Sequence, residues 1–162
     1  MNRDVIRDQG GFTLIEMVVV VLMVSILASA AMPLAAMSKR RAQEAELRQS
    51  LRLIRGALDD YKRAWDQGRI EHKPDQSGYP PNLNVLVQGV ADVSSTKTQQ
   101  RIYFLRRLPR DPFASAELTA AATWGLRSYA SPADEPIPGT DVFDVYSLTQ
   151  GVGLDGTPYR RW

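Results

Sequence analysis

A chain of 162 residues with 44% apolar side chains holds one modest domain plus an additional segment, not two full cores. Twenty basic against eighteen acidic side chains leave a net charge of +2, too even for the electrostatic footprint of a nucleic-acid binder, so no nucleic-acid partner is expected. The absence of cysteine removes disulfides, thiolate nucleophiles and thiolate metal sites together, and a single histidine, His72, narrows the catalytic options further.

Phe12 to Met37 is an apolar run of 26 residues with one formal charge, Glu16. As a helix at about 1.5 Å per residue it measures roughly 39 Å, enough to cross a hydrocarbon core of about 30 Å. A lone segment in lipid has to be helical, because unpaired backbone groups are too costly there. Pro33 lacks an N–H and is expected to kink or loosen this helix. Three readings compete. One is a secretory signal peptide, with Arg3 and Arg7 as the basic region and Ala28-Ser29-Ala30 as the cleavage site, but the apolar run continues past Ala30 and includes Glu16. A second is a plain membrane anchor, which leaves Glu16 without a reason, since a carboxylate at mid-bilayer costs about 2.5–3.5 kcal/mol.

The third reading is a resemblance. Gly10-Gly11-Phe12-Thr13-Leu14-Ile15-Glu16 followed by an apolar run resembles the processing motif of type IV prepilins and type II secretion pseudopilins. The resemblance implies cleavage by a prepilin peptidase between Gly11 and Phe12, N-methylation of Phe12, and a part in assembly for Glu16 and for Pro33. A positively charged terminus at Phe12 of a neighbouring subunit would then be the partner that Glu16 needs in an apolar fibre core. The charge flanks point the other way. Lys39, Arg40 and Arg41 outnumber Arg3 and Arg7, and the positive-inside rule alone would keep the following domain in the cytoplasm, although long domains follow that rule weakly.

Beyond Met37, Leu47, Leu51, Ile54, Leu58, Tyr61 and Trp65 recur at spacings of three and four, the signature of an amphipathic helix. Glu44, Arg48, Arg52, Arg55 and Lys62 are read as lying off that stripe, and Gly68 as its end. A short helix is expected at Asn82–Gln88 with Asn82 as its cap, then an apolar island at Ile102–Leu108. Strands are expected at Thr123–Ala130 and Val142–Leu148, separated by the proline-rich loop Ser131–Thr140. So few strands need the helix stripe to cover one face. The fold class is therefore α+β: one long N-terminal helix packed on a small antiparallel sheet. The chain divides into a cleaved leader (1–11), a transmembrane and assembly half of the helix (12–37), an amphipathic half (38–67) and a small periplasmic α+β domain (68–162).

Tyr103 to Phe113, with Leu108-Pro109-Arg110-Asp111-Pro112 inside it, together with Trp124-Gly125 and Asp144-Val145-Tyr146-Ser147, resembles the major pseudopilin of type II secretion. That resemblance implies a non-enzymatic subunit of a short periplasmic pseudopilus, anchored in the bacterial inner membrane. Its implied partners are further copies of itself, other pseudopilins, the prepilin peptidase, an inner-membrane assembly platform and membrane lipid. A pilin or minor pilin of another machine, or a membrane-tethered binding module that never assembles, are the alternatives. Relatives often bind calcium in the loop after the last strand. Here that loop, Thr149–Trp162, holds one acid, Asp155, beside Arg160 and Arg161, so Asp141, Asp144 and Asp155 are expected to be solvated or to cap backbone, and no cofactor is assigned.

Two patterns are set aside. Gly151-Val152-Gly153-Leu154-Asp155-Gly156 spells a dinucleotide fingerprint but lacks the strand and helix around it, and reads as a glycine-rich turn. His72 has no second histidine to complete a metal set and is expected to be solvated.

Overall fold

The first helix begins where Thr13 begins to accept. Its carbonyl takes the Met17 N–H at 3.2 Å and its hydroxyl takes the Glu16 N–H at 3.3 Å, which makes Thr13 the cap. The computed structural model describes residues 11–72, 74, 76–95 and 100–162, without the side chains of residues 30–32. The expected leader, but for Gly11, lies outside the described residues. Helix α1 (Leu14–Asp66) is followed by α2 (Asn84–Gln88), β1 (Val90–Ala91), β2 (Arg101–Ile102), β3 (Trp124–Arg127) and β4 (Asp144–Ser147), with 3₁₀ turns at Ala121–Thr123 and Tyr159–Arg161. The chain forms two compact units, one ending at Arg40 and one comprising Arg41–Trp162.

In the second unit α1 buries the stripe read from its spacing: Leu47, Leu51, Ile54, Leu58 and Tyr61 are buried, with Ala57 and Ala64 between them and Trp65 packed alongside. Ile70, Leu83, Leu86, Trp124, Val142, Val145 and Tyr159 complete the core. The helix stops as expected at Gly68. Arg69 N–H reaches back to the Ala64 carbonyl at 2.9 Å and Gly68 N–H to Trp65 at 2.8 Å, with Gly68 at φ +68°, a Schellman ending that requires the left-handed conformation. The short helix starts two residues later than expected, yet Asn82 does cap it, its side-chain oxygen accepting the Val85 N–H at 3.3 Å.

Glu44 corrects the reading of the stripe. It lies three residues before Leu47, hence on the same face, and is buried. His72 is also more than solvated: it is exposed, but its ring stacks on Trp65 at 4.3 Å and its Nε2 lies 2.6 Å from the Trp65 carbonyl oxygen.

The strands form two antiparallel pairs, β1 with β2 and β3 with β4. Both expected strands are shorter than their apolar pattern. Ser128 N–H pairs with the Ile137 carbonyl and Tyr129 N–H with Asp141 Oδ1, so the proline-rich loop folds back and takes over the hydrogen bonds that would have lengthened β3. Within β4, Val145 and Ser147 face inward and Asp144 and Tyr146 outward; Val142 precedes the strand and is buried after donating to Pro80 O at 2.8 Å. The first pair was not foreseen. Two-residue strands are too short to show a period. Asp92, beside that pair, accepts from Arg69 at 2.6 Å and from the Ser94 hydroxyl and amide, and these bonds, Arg69 first, hold its carboxyl below the usual range.

Asp111 explains the Leu108–Pro112 element. It is buried and accepts from the Phe113 N–H at 2.8 Å and from the Ser147 hydroxyl, while Trp124 Nε1–H donates to Pro109 O at 2.9 Å. One short turn thereby holds both strands of the second pair.

Gly125 faces Tyr146 across that pair, and a Cβ there would sit 2.3 Å from the tyrosine ring. Gly125→Ala is expected to destabilise the second unit by about 1–3 kcal/mol, the usual cost of forcing an extra carbon into a packed site. Tyr146→Ala should cancel most of that loss. Additive effects of the two changes in thermal unfolding would contradict the close approach.

Candidate assembly site

Gly11, Phe12 and Thr13 precede the helix and are not helical, and both Gly11 and Phe12 are exposed, so the peptide bond joining them lies in an accessible, non-helical segment. Phe12 is 73% exposed. From Leu14 to Leu27 every large apolar side chain of α1 is exposed, on all sides of the helix. A helix apolar all round has to be buried in lipid or among other helices. By length and composition it is able to cross a membrane.

The polar groups within this stretch are accounted for locally. Ser25 donates its hydroxyl hydrogen to Val21 O at 2.7 Å, and Ser29 donates to Ile26 O at 2.7 Å, which hides both hydroxyls from an apolar surrounding. Pro33 lies inside α1 and offers no N–H to the Ser29 carbonyl one turn earlier.

Glu16 is the exception. It occupies the third helical position after Thr13, the place of the acidic partner in a Thr-x-x-Glu capping box, and its charge suits the positive end of the helix dipole. Its carboxylate is exposed and has no hydrogen-bond or ion-pair partner among the described residues. The return bond of a capping box, from the Thr13 N–H to this carboxylate, is thus not made, and the charge is left unused.

Gly11, Phe12 and Glu16 thus stand within one turn of the start of α1, whereas Pro33 belongs to a later turn of the same unit. The aspartates considered as metal ligands do not converge. Asp141 caps Tyr129 N–H, Asp144 takes its own Val145 N–H and pairs with Arg55 Nε at 2.8 Å, and Asp155 caps Thr157 N–H and pairs with Arg48 at 2.7 Å. No group of three metal-ligating side chains occurs among the described residues. The glycine-rich segment is a turn closed by a Val152–Pro158 bridge and by Gly153 N–H to Thr157 O at 2.8 Å.

Sequence reasoning missed Glu44 and Arg55 as anchors of that turn. Both lie on the α1 face that carries Leu51, and their spacing from it was the available signal.

Residues 6–32 match the prokaryotic N-terminal methylation motif. Over most of its length the chain is similar to type II secretion system core protein G from three organisms. It is 30% identical to that of Klebsiella michiganensis, covering 83% of this chain and 90% of the relative. Identity to that of Pseudomonas aeruginosa is 31%, covering 93% and 87%, and to that of Vibrio cholerae 32%, covering 93% and 84%. No solved structure gives a significant match.

Proposed function

The chain belongs to the type II secretion system core protein G family, and from that premise we propose that it is a non-enzymatic structural subunit of a periplasmic pseudopilus, polymerising to help export folded proteins. The observation that carries this reading is a helix apolar on every side, opening with one unpaired carboxylate. Such a surface is satisfied by lipid before assembly and by neighbouring helices after it. The single-pass segment then resides in the inner membrane, with the second unit in the periplasm.

Cleavage between Gly11 and Phe12 leaves a charged amino group at Phe12, which N-methylation retains as a cation. That cation on one subunit is the partner for Glu16 on the next. Burial of either charge alone is costly, and pairing favours the register in which both are neutralised. Export overrides the charge flanks because the second unit is long.

The test is the intact mass and amino-terminal sequence of the chain purified from membranes of a host with a prepilin peptidase. A start at N-methylated Phe12 is expected. A start at Ala31 would indicate an ordinary secreted domain, and retention of Met1 in a competent host would indicate a simple anchor.

A further inference from the structure

The loop Thr149–Trp162 stands where relatives in the resemblance carry calcium, but several of its oxygens, its one carboxylate included, are already in use. The Gly151, Gly153 and Thr157 carbonyls accept from Tyr159, Gly156 and Gly153 N–H groups at 3.1, 3.0 and 2.8 Å. The one carboxylate in the loop, Asp155, accepts from Thr157 N–H at 2.9 Å with one oxygen and from Arg48 at 2.7 Å with the other. Calcium needs six to eight oxygens. A cation placed at Asp155 would meet a guanidinium at hydrogen-bond distance and would have to displace it. The residues present do not fit the ion.

What fastens the loop instead comes from α1. Glu44, Arg48, Leu51 and Arg55 follow one another at spacings of four, three and four, so they form one face of the helix. Glu44 Oε1 accepts from Leu154 N–H and from the Tyr159 hydroxyl, each at 2.9 Å. Arg48 also lies 4.1 Å above the Trp162 ring. Arg55 donates to the main-chain oxygen of Trp162 at 2.7 Å and to that of Val145 at 3.1 Å. The loop is thereby tied to the helix near its middle, at its indole and at its far end.

We propose that Arg48 is this subunit's built-in cation, and that the loop holds its fold without any divalent metal. The choice of calcium as the ion to test rests on the family reading; the fastening itself rests on the geometry. A protein built this way stays folded whatever the calcium level around it. The guanidinium delivers one positive charge to Asp155 and a flat face to Trp162, two contacts that a metal ion would not make together.

The test uses the full chain in detergent micelles, unfolded thermally in EGTA and in millimolar calcium. The two transitions are expected to superimpose, and a calcium-dependent rise of about 2–4 °C or more would overturn the proposal. Arg48→Gln supplies the second arm. An ion pair as exposed as Arg48–Asp155 adds little to global stability, so the sharper readout is limited proteolysis mapped by mass spectrometry. Cleavage within residues 149–162 is expected to accelerate several-fold in the variant, with or without calcium, and less in Arg48→Lys. Cleavage at the rate of the unaltered chain would overturn the proposal. Both readouts report folding, so they succeed or fail separately from any assay of secretion.

Discussion

A Glu16→Gln chain is expected to accumulate in the membrane, processed at its amino terminus, and to stay out of the fibre. The bond at the helix start runs from the Glu16 backbone N–H to the Thr13 hydroxyl, so it survives a change of the side chain. Membrane residence survives as well, since removing a carboxylate eases insertion. Only the charge is lost. In the proposed fibre the amino group of a neighbouring Phe12 is then buried without its counter-ion, which costs about 3–5 kcal/mol, or roughly a hundredfold or more in incorporation. The fraction of the chain in sheared or cross-linked fibres measures this directly. Incorporation of the Glu16→Gln chain at the level of the unaltered one would contradict the ion pair.

Ile54→Ala should produce a large loss of stability in the second unit, by about 2–5 kcal/mol. Ile54 is wholly buried in the cluster that joins α1 to α2 and the second strand pair. Truncation removes its apolar burial and leaves a cavity that neighbours on a rigid helix fill poorly. For a unit of this size that lowers the midpoint of thermal unfolding by several degrees for each kcal/mol lost. Leu53, the adjacent residue, is the control: it is 50% exposed, and Leu53→Ala should stay within about 0.5 kcal/mol of the unaltered chain. Equal losses at the two positions would contradict the burial of the stripe. Membrane residence is expected to be the same in both variants, because the apolar stretch lies in the other unit.

The stripe from Leu47 to Tyr61 was legible because helical spacing and side-chain type agreed at every position, and Gly68 was legible because its freedom at positive φ suits one place in a helix ending. Glu44 was not, since sorting residues by polarity assigns a carboxylate to the solvent face even where its spacing puts it among leucines. What reverses that sorting is its partners, Leu154 and Tyr159, more than a hundred residues away and invisible to any local pattern. The same limit shortened the strands. The apolar pattern placed a strand at Val142–Leu148, but it could not show that Asp141 and Ile137 would claim the amides that end β3. At the amino terminus, the resemblance of Gly10–Glu16 to the prepilin motif singled out Gly11, Phe12 and Glu16. The Thr13-x-x-Glu16 cap was equally readable there, and was overshadowed by the apolar run that follows it.

The attachment of Leu154, Tyr159 and Trp162 to Glu44 and Arg55 sets a timetable for the growing polypeptide. Translation delivers Leu47, Leu51 and Ile54 early, Leu83 and Leu86 next, and the rest of their cover only once residues 124–159 have been made. Contacts that distant in sequence form late, after the intervening chain has paid its loop-closure entropy. A ribosome that stalls, or a protease that clips, before the Tyr159–Arg161 turn takes the Tyr159 ring from that cover and its hydroxyl from the Glu44 carboxylate. Loss of that turn is therefore expected to open the stripe to proteolysis.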